Sequence, residues 1–293
     1  LLQITGDTKY VDQIERTMYN ALMASMKHDN SQIVKYVPLE GFRREGEHQC
    51  DVHINCCNAN APRAFAMIPR VTYRVPNRDR IDINLYMPSQ AILQIGKRTF
   101  TLTQQTGYPA SNEVKITVTP DKTTQANIAL RIPGWTPNAI VKVNGETMKG
   151  VASGEYYVIN RQWNAGDEIT LTMEMPAHLV SLNQSVAIER GPIVYARDSR
   201  FNDGFVDEVV TIPNKDGIIQ MKTEENGKDM WITVSVPMVR GTYNDALTDT
   251  RHIRLCDFAS AGSTWDERIR YRVWLPKLYT PDNPKSGQFQ GYW

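Results

Sequence analysis

The spacing of apolar residues changes near residue 70, and this change restricts the folds open to the chain. Before it, intervals of three and four separate Val11, Ile14, Met18, Leu22 and Met26. That spacing predicts an amphipathic helix. After it, apolar and polar residues alternate in short runs at 81–87, 113–119, 126–132, 140–143, 156–159 and 168–173. A period of two predicts β-strands. The sequence therefore predicts a helical segment followed by β structure.

Turn residues refine this prediction. In residues 1–70, Gly6 ends a first short helix, Asp7 caps the next, and a further helix over 61–68 ends before Pro69. Asn144-Gly145 is a strong hairpin signal. Regularly spaced short strands with such turns predict an antiparallel β-sandwich or jelly roll over 71–176. Strand patterns at 185–188, 193–196, 231–236 and 270–275 predict a second, smaller β domain over 177–293.

Composition excludes several functional classes. The chain has 293 residues and a formal net charge of +1, so it lacks the basic footprint of a nucleic-acid-binding protein. It contains no run of about 18 apolar residues that would span a membrane. The first residues read as the end of a helix, and we expect the chain to be a piece of a longer protein. The composition leaves the cellular compartment open.

Cys56 and Cys57 are adjacent in sequence, and this pair carries the most chemical information. Neighbouring cysteines bond to each other only with distortion. They can instead present two thiolate ligands to one metal, or one ligand and one nucleophile. Two small buried hydrophobic residues are the alternative interpretation. A structural zinc site that also uses Cys50 and His48 or His53 is a further one.

Other candidate residues have ordinary alternatives. Glu15 borders the apolar face of the first long helix, where an ion pair with Arg16 or Lys27 is as good an explanation as a functional role. Cys256 is predicted to be a buried strand residue. Five tryptophans suggest sugar stacking, but core packing is favoured; they are Trp135, Trp163, Trp265, Trp274 and Trp293. Ordinary surface or hydrogen-bonded roles are favoured for His178 and His252.

The order of several short motifs is specific, although each motif alone is modest. They are Thr5-Gly6-Asp7, Tyr10-Val11-Asp12-Gln13-Ile14-Glu15, Tyr36-Val37-Pro38-Leu39-Glu40-Gly41, the cysteine pair followed by Asn60 and Arg63, Asn84-Leu85-Tyr86-Met87-Pro88-Ser89, Arg131-Ile132-Pro133-Gly134-Trp135, Val143-Asn144-Gly145, and Ile188-Glu189-Arg190-Gly191-Pro192. In this order they resemble the carboxy-terminal part of the β-L-arabinofuranosidase family, glycoside hydrolase family 127 and relatives, over nearly the whole chain.

The resemblance implies the last helices of an (α/α)6 barrel in residues 1–70, followed by β-sandwich domains. It also implies a retaining, zinc-dependent glycosidase whose nucleophile is a cysteine. Cys56 matches the nucleophile and a zinc ligand, and Cys57 matches an additional zinc ligand. Glu15 matches a carboxylate near the sugar hydroxyls and Tyr36 an active-site tyrosine, although the family more often has Asn before the proline.

The family's Glu-x-Cys zinc ligands and its acid/base Glu have no counterpart in the chain. Zn²⁺ is therefore expected to be absent or incompletely coordinated, and the isolated chain to be inactive. The expected substrate is a β-L-arabinofuranoside or a similar glycan, and homodimer formation is one option for the quaternary state. The alternative to an enzyme fragment is a non-catalytic β-sandwich module that binds carbohydrate or supports a barrel.

Overall fold

The computed structural model describes residues 1–34, 36–44, 56–240 and 249–277, with the backbone alone at 56–59, 240, 249 and 250. The chain forms two compact units. The first unit comprises Leu1–Arg16 and Pro62–Met175, and the second comprises Thr17–Ala61 and Pro176–Trp293. The domain limits expected from the sequence stay a prediction.

Helices dominate the amino-terminal residues. They are α1 (Leu2–Thr5), α2 (Thr8–Thr17), a π-helix (Met18–Leu22) and α3 (Cys56–Thr72). The predicted end of the first helix is confirmed, because Gly6 adopts φ 69° and its N–H donates to the carbonyl of Leu2. The predicted cap at Asp7 is confirmed as well, since its Oδ1 accepts the N–H of Lys9 at 3.0 Å. Among the described residues, no helix combines the length and apolar character needed to cross a bilayer.

Helix α3 is longer than predicted. The expectation of a helix over 61–68 that ends before Pro69 is wrong, because α3 runs from Cys56 to Thr72 and contains both Pro62 and Pro69. Proline removes one helical N–H donor, but only one turn follows Pro69. In that turn the hydroxyl of Thr72 donates to the carbonyl of Ile68 at 2.8 Å.

The strands as far as residue 173 are, in chain order, β1 (Glu40–Gly41), β2 (Tyr73–Asn77), β3 (Arg80–Ile83), β4 (Ser89–Ile95), β5 (Arg98–Thr106), β6 (Glu113–Pro120), β7 (Thr124–Arg131), β8 (Ala139–Val143), β9 (Glu146–Thr147), β10 (Tyr156–Trp163) and β11 (Asp167–Met173). The first unit contains two sheets of them. One is antiparallel with the order β4-β5-β6-β11-β8-β9. The other has the order β10-β7-β3-β2, in which β3 and β7 run parallel. We call these two sheets and their connecting loops the sandwich.

Alternating burial explains the core of the first unit. In β6 the side chains of Val114, Ile116 and Val118 are fully buried, whereas alternate residues face outward. The same alternation runs along β11. The predicted hairpin is confirmed, because Asn144 and Gly145 have φ of 49° and 85° and connect β8 to β9. Positive φ at both central residues matches the twist of the strands.

The remaining strands belong to the second unit. They are β12 (Ala177–Leu182), β13 (Ser185–Arg190), β14 (Ile193–Asp198), β15 (Asn214–Lys215), β16 (Ile218–Ile219), β17 (Lys222–Thr223), β18 (Thr233–Arg240), β19 (Asp249–Asp257), β20 (Tyr271–Arg272) and β21 (Leu275–Pro276). The main order is β15-β16-β12-β13-β14-β19-β18-β17, and β20 links β14 to β1. Cys256 is fully buried in β19, as predicted. These antiparallel sheets confirm the mainly β fold class.

Candidate active site

The cysteine pair occupies the start of a helix. Cys56 and Cys57 are the first two residues of α3, which has 17 residues. Free backbone N–H groups at a helix start favour a nearby anion and therefore favour a thiolate over a thiol. The side chains of both cysteines lie outside what the structure describes, as do Cys50, His48 and His53. The described residues contain no group of three metal-ligating side chains.

Glu15 is buried in α2, and donors from the sandwich surround its carboxylate. Its Oε1 accepts hydrogen bonds of 2.7 Å from Arg131 Nη2 and from the hydroxyl of Tyr108. Its Oε2 accepts the indole N–H of Trp135 at 3.3 Å. The ion pair expected with Arg16 or Lys27 is replaced by one with Arg131. Burial and three donors make Glu15 a structural anchor, while its predicted contact with the sugar stays a prediction.

Arg131 joins two carboxylates of α2 to the sandwich. Its Nη1 donates to Asp12 Oδ1 at 2.6 Å, and its side chain is fully buried. Burial acts to lower the pKa of Arg131, but Glu15, Tyr108, Tyr86 and Asp12 together outweigh burial, and the pKa lies above its ordinary value. The guanidinium is therefore charged throughout the physiological range. Asp12 also accepts the N–H of Gly134 at 3.0 Å through Oδ2.

The network explains the run Arg131-Ile132-Pro133-Gly134-Trp135. Arg131 and Trp135 bind Glu15, while the backbone of Gly134 binds Asp12. A Cβ at Gly134 would lie 2.8 Å from Asp12 Oδ2, so glycine permits the close approach. The run is therefore a docking site for the two carboxylates of α2.

The sequence reasoning singled out Glu15 but missed Asp12, Arg131 and Tyr108. One signal was available, because residues 12 and 15 are three apart and share one face of a helix. A single sequence carries no signal that pairs this face with an arginine more than a hundred residues further on.

Tyr36 lies on the surface of the second unit, with 74% of its area exposed. Its hydroxyl is therefore accessible to a ligand in this chain. The structure places Tyr36 and the cysteine pair in the second unit and Glu15 in the first. The four predicted site residues therefore do not all belong to one unit.

The described tryptophans mostly pack inside the protein, as favoured from the sequence. Trp163 is fully buried and donates to the carbonyl of Ala126 at 3.1 Å, and Trp265 is 7% exposed. Trp135 is bound to Glu15. Trp293 lies outside the described residues. His178 is half-buried in β12 and His252 is exposed in β19, in line with their predicted ordinary roles.

Comparison with known proteins identifies the family to which the chain belongs. Residues 1–70 match the model of the β-L-arabinofuranosidase GH127 catalytic domain, and residues 80–175 match that of the GH127 middle domain. Together the matches span more than half of the chain. The chain belongs to the β-L-arabinofuranosidase family, glycoside hydrolase family 127.

Solved structures agree with this assignment. A GH127 β-L-arabinofuranosidase from Geobacillus stearothermophilus T6 is 25% identical with a TM-score of 0.75, and the match covers 94% of this chain and 47% of that one. A GH127 β-arabinofuranosidase is 25% identical with a TM-score of 0.79, and the match covers 95% and 47%. A glycoside hydrolase that is 22% identical shares the fold with a TM-score of 0.74, covering 95% and 50%.

The chain thus spans about half the length of these structures. No significant match was found among curated proteins.

Proposed function

We propose that the chain is the carboxy-terminal portion of a retaining glycoside hydrolase that acts on β-L-arabinofuranosides or similar glycans, with Cys56 as nucleophile. One observation carries the proposal. The adjacent cysteines begin α3, within the segment that matches the family's catalytic domain. A helix start is a favourable place for a thiolate.

The chemistry needs two displacements at the anomeric carbon. The thiolate of Cys56 attacks this carbon, and a carbon–sulfur bond forms as the glycosidic carbon–oxygen bond breaks. A general acid protonates the departing oxygen. Water then attacks the same carbon and gives up a proton to the conjugate base, and the sulfur leaves again as thiolate. Two inversions restore the original configuration. The chain supplies the sulfur, and the acid/base residue is assigned to the longer protein.

Zn²⁺ fits the donor chemistry of the pair. Bound zinc keeps coordinated thiols deprotonated at neutral pH. Cys56 and Cys57 would supply two sulfur ligands. The family's Glu-x-Cys ligands have no counterpart in the chain, so we assign the remaining ligands to the longer protein. We therefore propose that the isolated chain binds zinc incompletely and is inactive, whereas the longer protein binds it fully.

Tyr36 and Glu15 differ in how accessible their side chains are to a sugar. The exposed hydroxyl of Tyr36 is free of steric hindrance from the second unit and suits a contact with a sugar hydroxyl. The carboxylate oxygens of Glu15 already accept hydrogen bonds from three protein donors. A sugar hydroxyl would have to share these oxygens with those donors. We propose Tyr36 as the direct contact and retain Glu15 as a second candidate.

A non-catalytic role for the sandwich has its own support. The carboxylates of α2 are tied to the sandwich through Arg131, Gly134 and Trp135. Such a module would support a helical catalytic domain rather than bind sugar. This role is compatible with the enzymatic one.

Homodimer formation stays a prediction, which light scattering of the purified chain tests.

The proposed activity is tested on the full-length protein with a nitrophenyl β-L-arabinofuranoside. Cys56→Ala is expected to abolish hydrolysis, whereas Cys256→Ala, which removes a buried thiol in β19, should retain it. Prolonged chelation should inactivate the wild type, and added zinc should restore it. Hydrolysis at the wild-type rate by the Cys56→Ala variant would overturn the assigned role.

A further inference from the structure

A short segment that carries Tyr36 is fastened to the carboxy-terminal strands. We define the Tyr36 segment as residues 36–44. Its strand β1 pairs antiparallel with β20, with Glu40 opposite Arg272 and Gly41 opposite Tyr271. The carbonyl of Leu39 accepts the N–H of Val273 at 2.8 Å. All of these residues belong to the second unit.

Side chains of β20 reinforce the backbone pairing. The hydroxyl of Tyr271 donates to the carbonyl of Pro38 at 2.5 Å. Arg272 forms an ion pair with Glu40 at 2.7 Å. Burial raises the pKa of Tyr271, and the positive charge of Arg43 only partly offsets this, so the hydroxyl keeps its proton as a donor. The carbonyl that it binds is two residues from Tyr36.

Arg43 anchors the other end of the segment. Its side chain is 2% exposed, and Nη1 donates to the carbonyls of Ala24 and Ala259 at 3.0 Å each. Nη2 donates to the carbonyl of Phe258. The guanidinium lies 5.2 Å from the ring centres of both Phe258 and Tyr271. Two aromatic rings and three carbonyls thus surround one buried cation.

The packing around the Arg43 guanidinium leaves the ring of Tyr271 little room to move. Gly262 has φ 58°, and a Cβ there would lie 2.7 Å from the ring of Tyr271. The tyrosine ring is therefore held between Gly262 and Arg43. A side chain with so little room fixes its hydroxyl, and the hydroxyl fixes Pro38.

We infer that Tyr271 and Arg43 are positioning residues for the active site, because they hold the backbone from which Tyr36 projects. The inference rests on the proposed function, in which Tyr36 contacts the sugar. The inference gives β20 of the second unit a part in substrate binding, which it exerts through Tyr36. No predicted site residue lies on β20 itself.

The test compares two tyrosines in the full-length protein. Tyr271→Phe removes the hydroxyl and keeps the ring on Arg43. Tyr86→Phe is the matched control, since the buried hydroxyl of Tyr86 also donates to a backbone carbonyl at 2.5 Å, that of Arg131. Each substitution is made alone and together with Tyr36→Phe, and kcat/KM is measured on the nitrophenyl arabinofuranoside.

Tyr271→Phe is expected to lower kcat/KM about fivefold when Tyr36 is present and less than twofold when Tyr36 is already Phe, because a hydrogen bond of ordinary strength is lost. Tyr86→Phe should have the same effect in both backgrounds. Hydrogen exchange of the amides at 39–41 should become faster in Tyr271→Phe and stay unchanged in Tyr86→Phe. An effect of Tyr271→Phe that is absent, or equal in both backgrounds, overturns the inference.

Failure of the proposed function is a separate outcome. If the wild-type protein cleaves no arabinofuranoside, that function is wrong, and hydrogen exchange alone decides the inference. Faster exchange at 39–41 that is confined to Tyr271→Phe then supports positioning of the segment. Unchanged exchange overturns it.

Discussion

The carboxylate of Glu15 and the guanidinium of Arg131 form an ion pair of 2.7 Å, in which neither side chain is exposed. Two charges removed from water in this way depend on each other, because either one alone is left uncompensated. The pair joins α2, which lies in the match to the catalytic domain, to β7 of the sandwich. Much of the stability of the first unit should therefore depend on these two residues.

Removal of one partner should be costly. Glu15→Ala leaves Arg131 buried without its one fully buried anionic partner, and we expect the free energy of unfolding to fall by about 3–5 kcal/mol. Glu168→Ala is the control, because its ion pair with Lys115 is 3.8 Å long and about half exposed. Its loss should cost less than about 1 kcal/mol. Urea unfolding of the chain measures both, and equal losses would contradict the structural role of Glu15.

The role of Glu15 in sugar binding can be separated from its role in stability. Glu15→Gln and Asp12→Asn each remove one of the charges that face Arg131. If Glu15 also contacts the sugar, KM of the full-length protein should rise more in Glu15→Gln than in Asp12→Asn. Similar KM values for the two variants would show that Glu15 acts through structure alone.

The close approach of Gly134 to Asp12 can be tested by substitution of both residues. Gly134→Ala would place a methyl group 2.8 Å from the Asp12 carboxylate, and we expect a loss of about 1–3 kcal/mol in the free energy of unfolding. In an Asp12→Ala background the obstruction is gone, so the same substitution should cost much less. Urea unfolding of the four proteins checks this, and additive losses would refute it.

Asp167 gives a prediction on pH. Burial acts to raise the pKa of this carboxyl, but hydrogen bonds from the N–H of Asn164 and the side chain of Asn144 outweigh it, and the pKa is lowered. A lowered folded-state pKa adds stability above the unfolded value of about 3.9, and this stability is lost as pH falls through the folded value. The stability advantage over Asp167→Asn, measured by urea unfolding, should therefore be complete at neutral pH and shrink as pH falls below the unfolded value. An advantage that does not change with pH would contradict the assignment.

Local signals made part of the fold predictable. Gly6 and Asn144-Gly145 need positive φ, and both turns occur where the sequence placed them. The hairpin of β4 and β5 was missed, although the two-residue connection after Ile95 contains Gly96. Ile92 explains the omission, because it is 74% exposed on β4 and breaks the alternation of apolar and polar residues.

Long-range pairing was beyond prediction. Glu40 pairs with Arg272, and Glu15 pairs with Arg131. No periodicity links such distant residues, so a buried carboxylate and a functional one look alike in sequence. The continuation of α3 through Pro69 was missed for another reason, because a proline beyond the first turn normally ends a helix, and nothing local in the sequence shows that this helix continues.

The zinc content of the protein tests the proposed zinc ligands independently of activity. Elemental analysis of the full-length protein should find about one zinc per chain in the wild type and in Cys256→Ala. Cys57→Ala should hold much less, because one of four expected ligands is lost. A full zinc content in Cys57→Ala would exclude this residue as a ligand.

The most direct measurement is a mass spectrum of the full-length protein quenched in acid during turnover of a slow arabinofuranoside. A covalent intermediate should add the mass of one pentosyl residue, and peptide mapping should place it on Cys56. The adduct should be absent from Cys56→Ala and present in Cys256→Ala. A sugar adduct on any other residue, in an enzyme that turns over normally, would contradict the assignment of Cys56 as nucleophile.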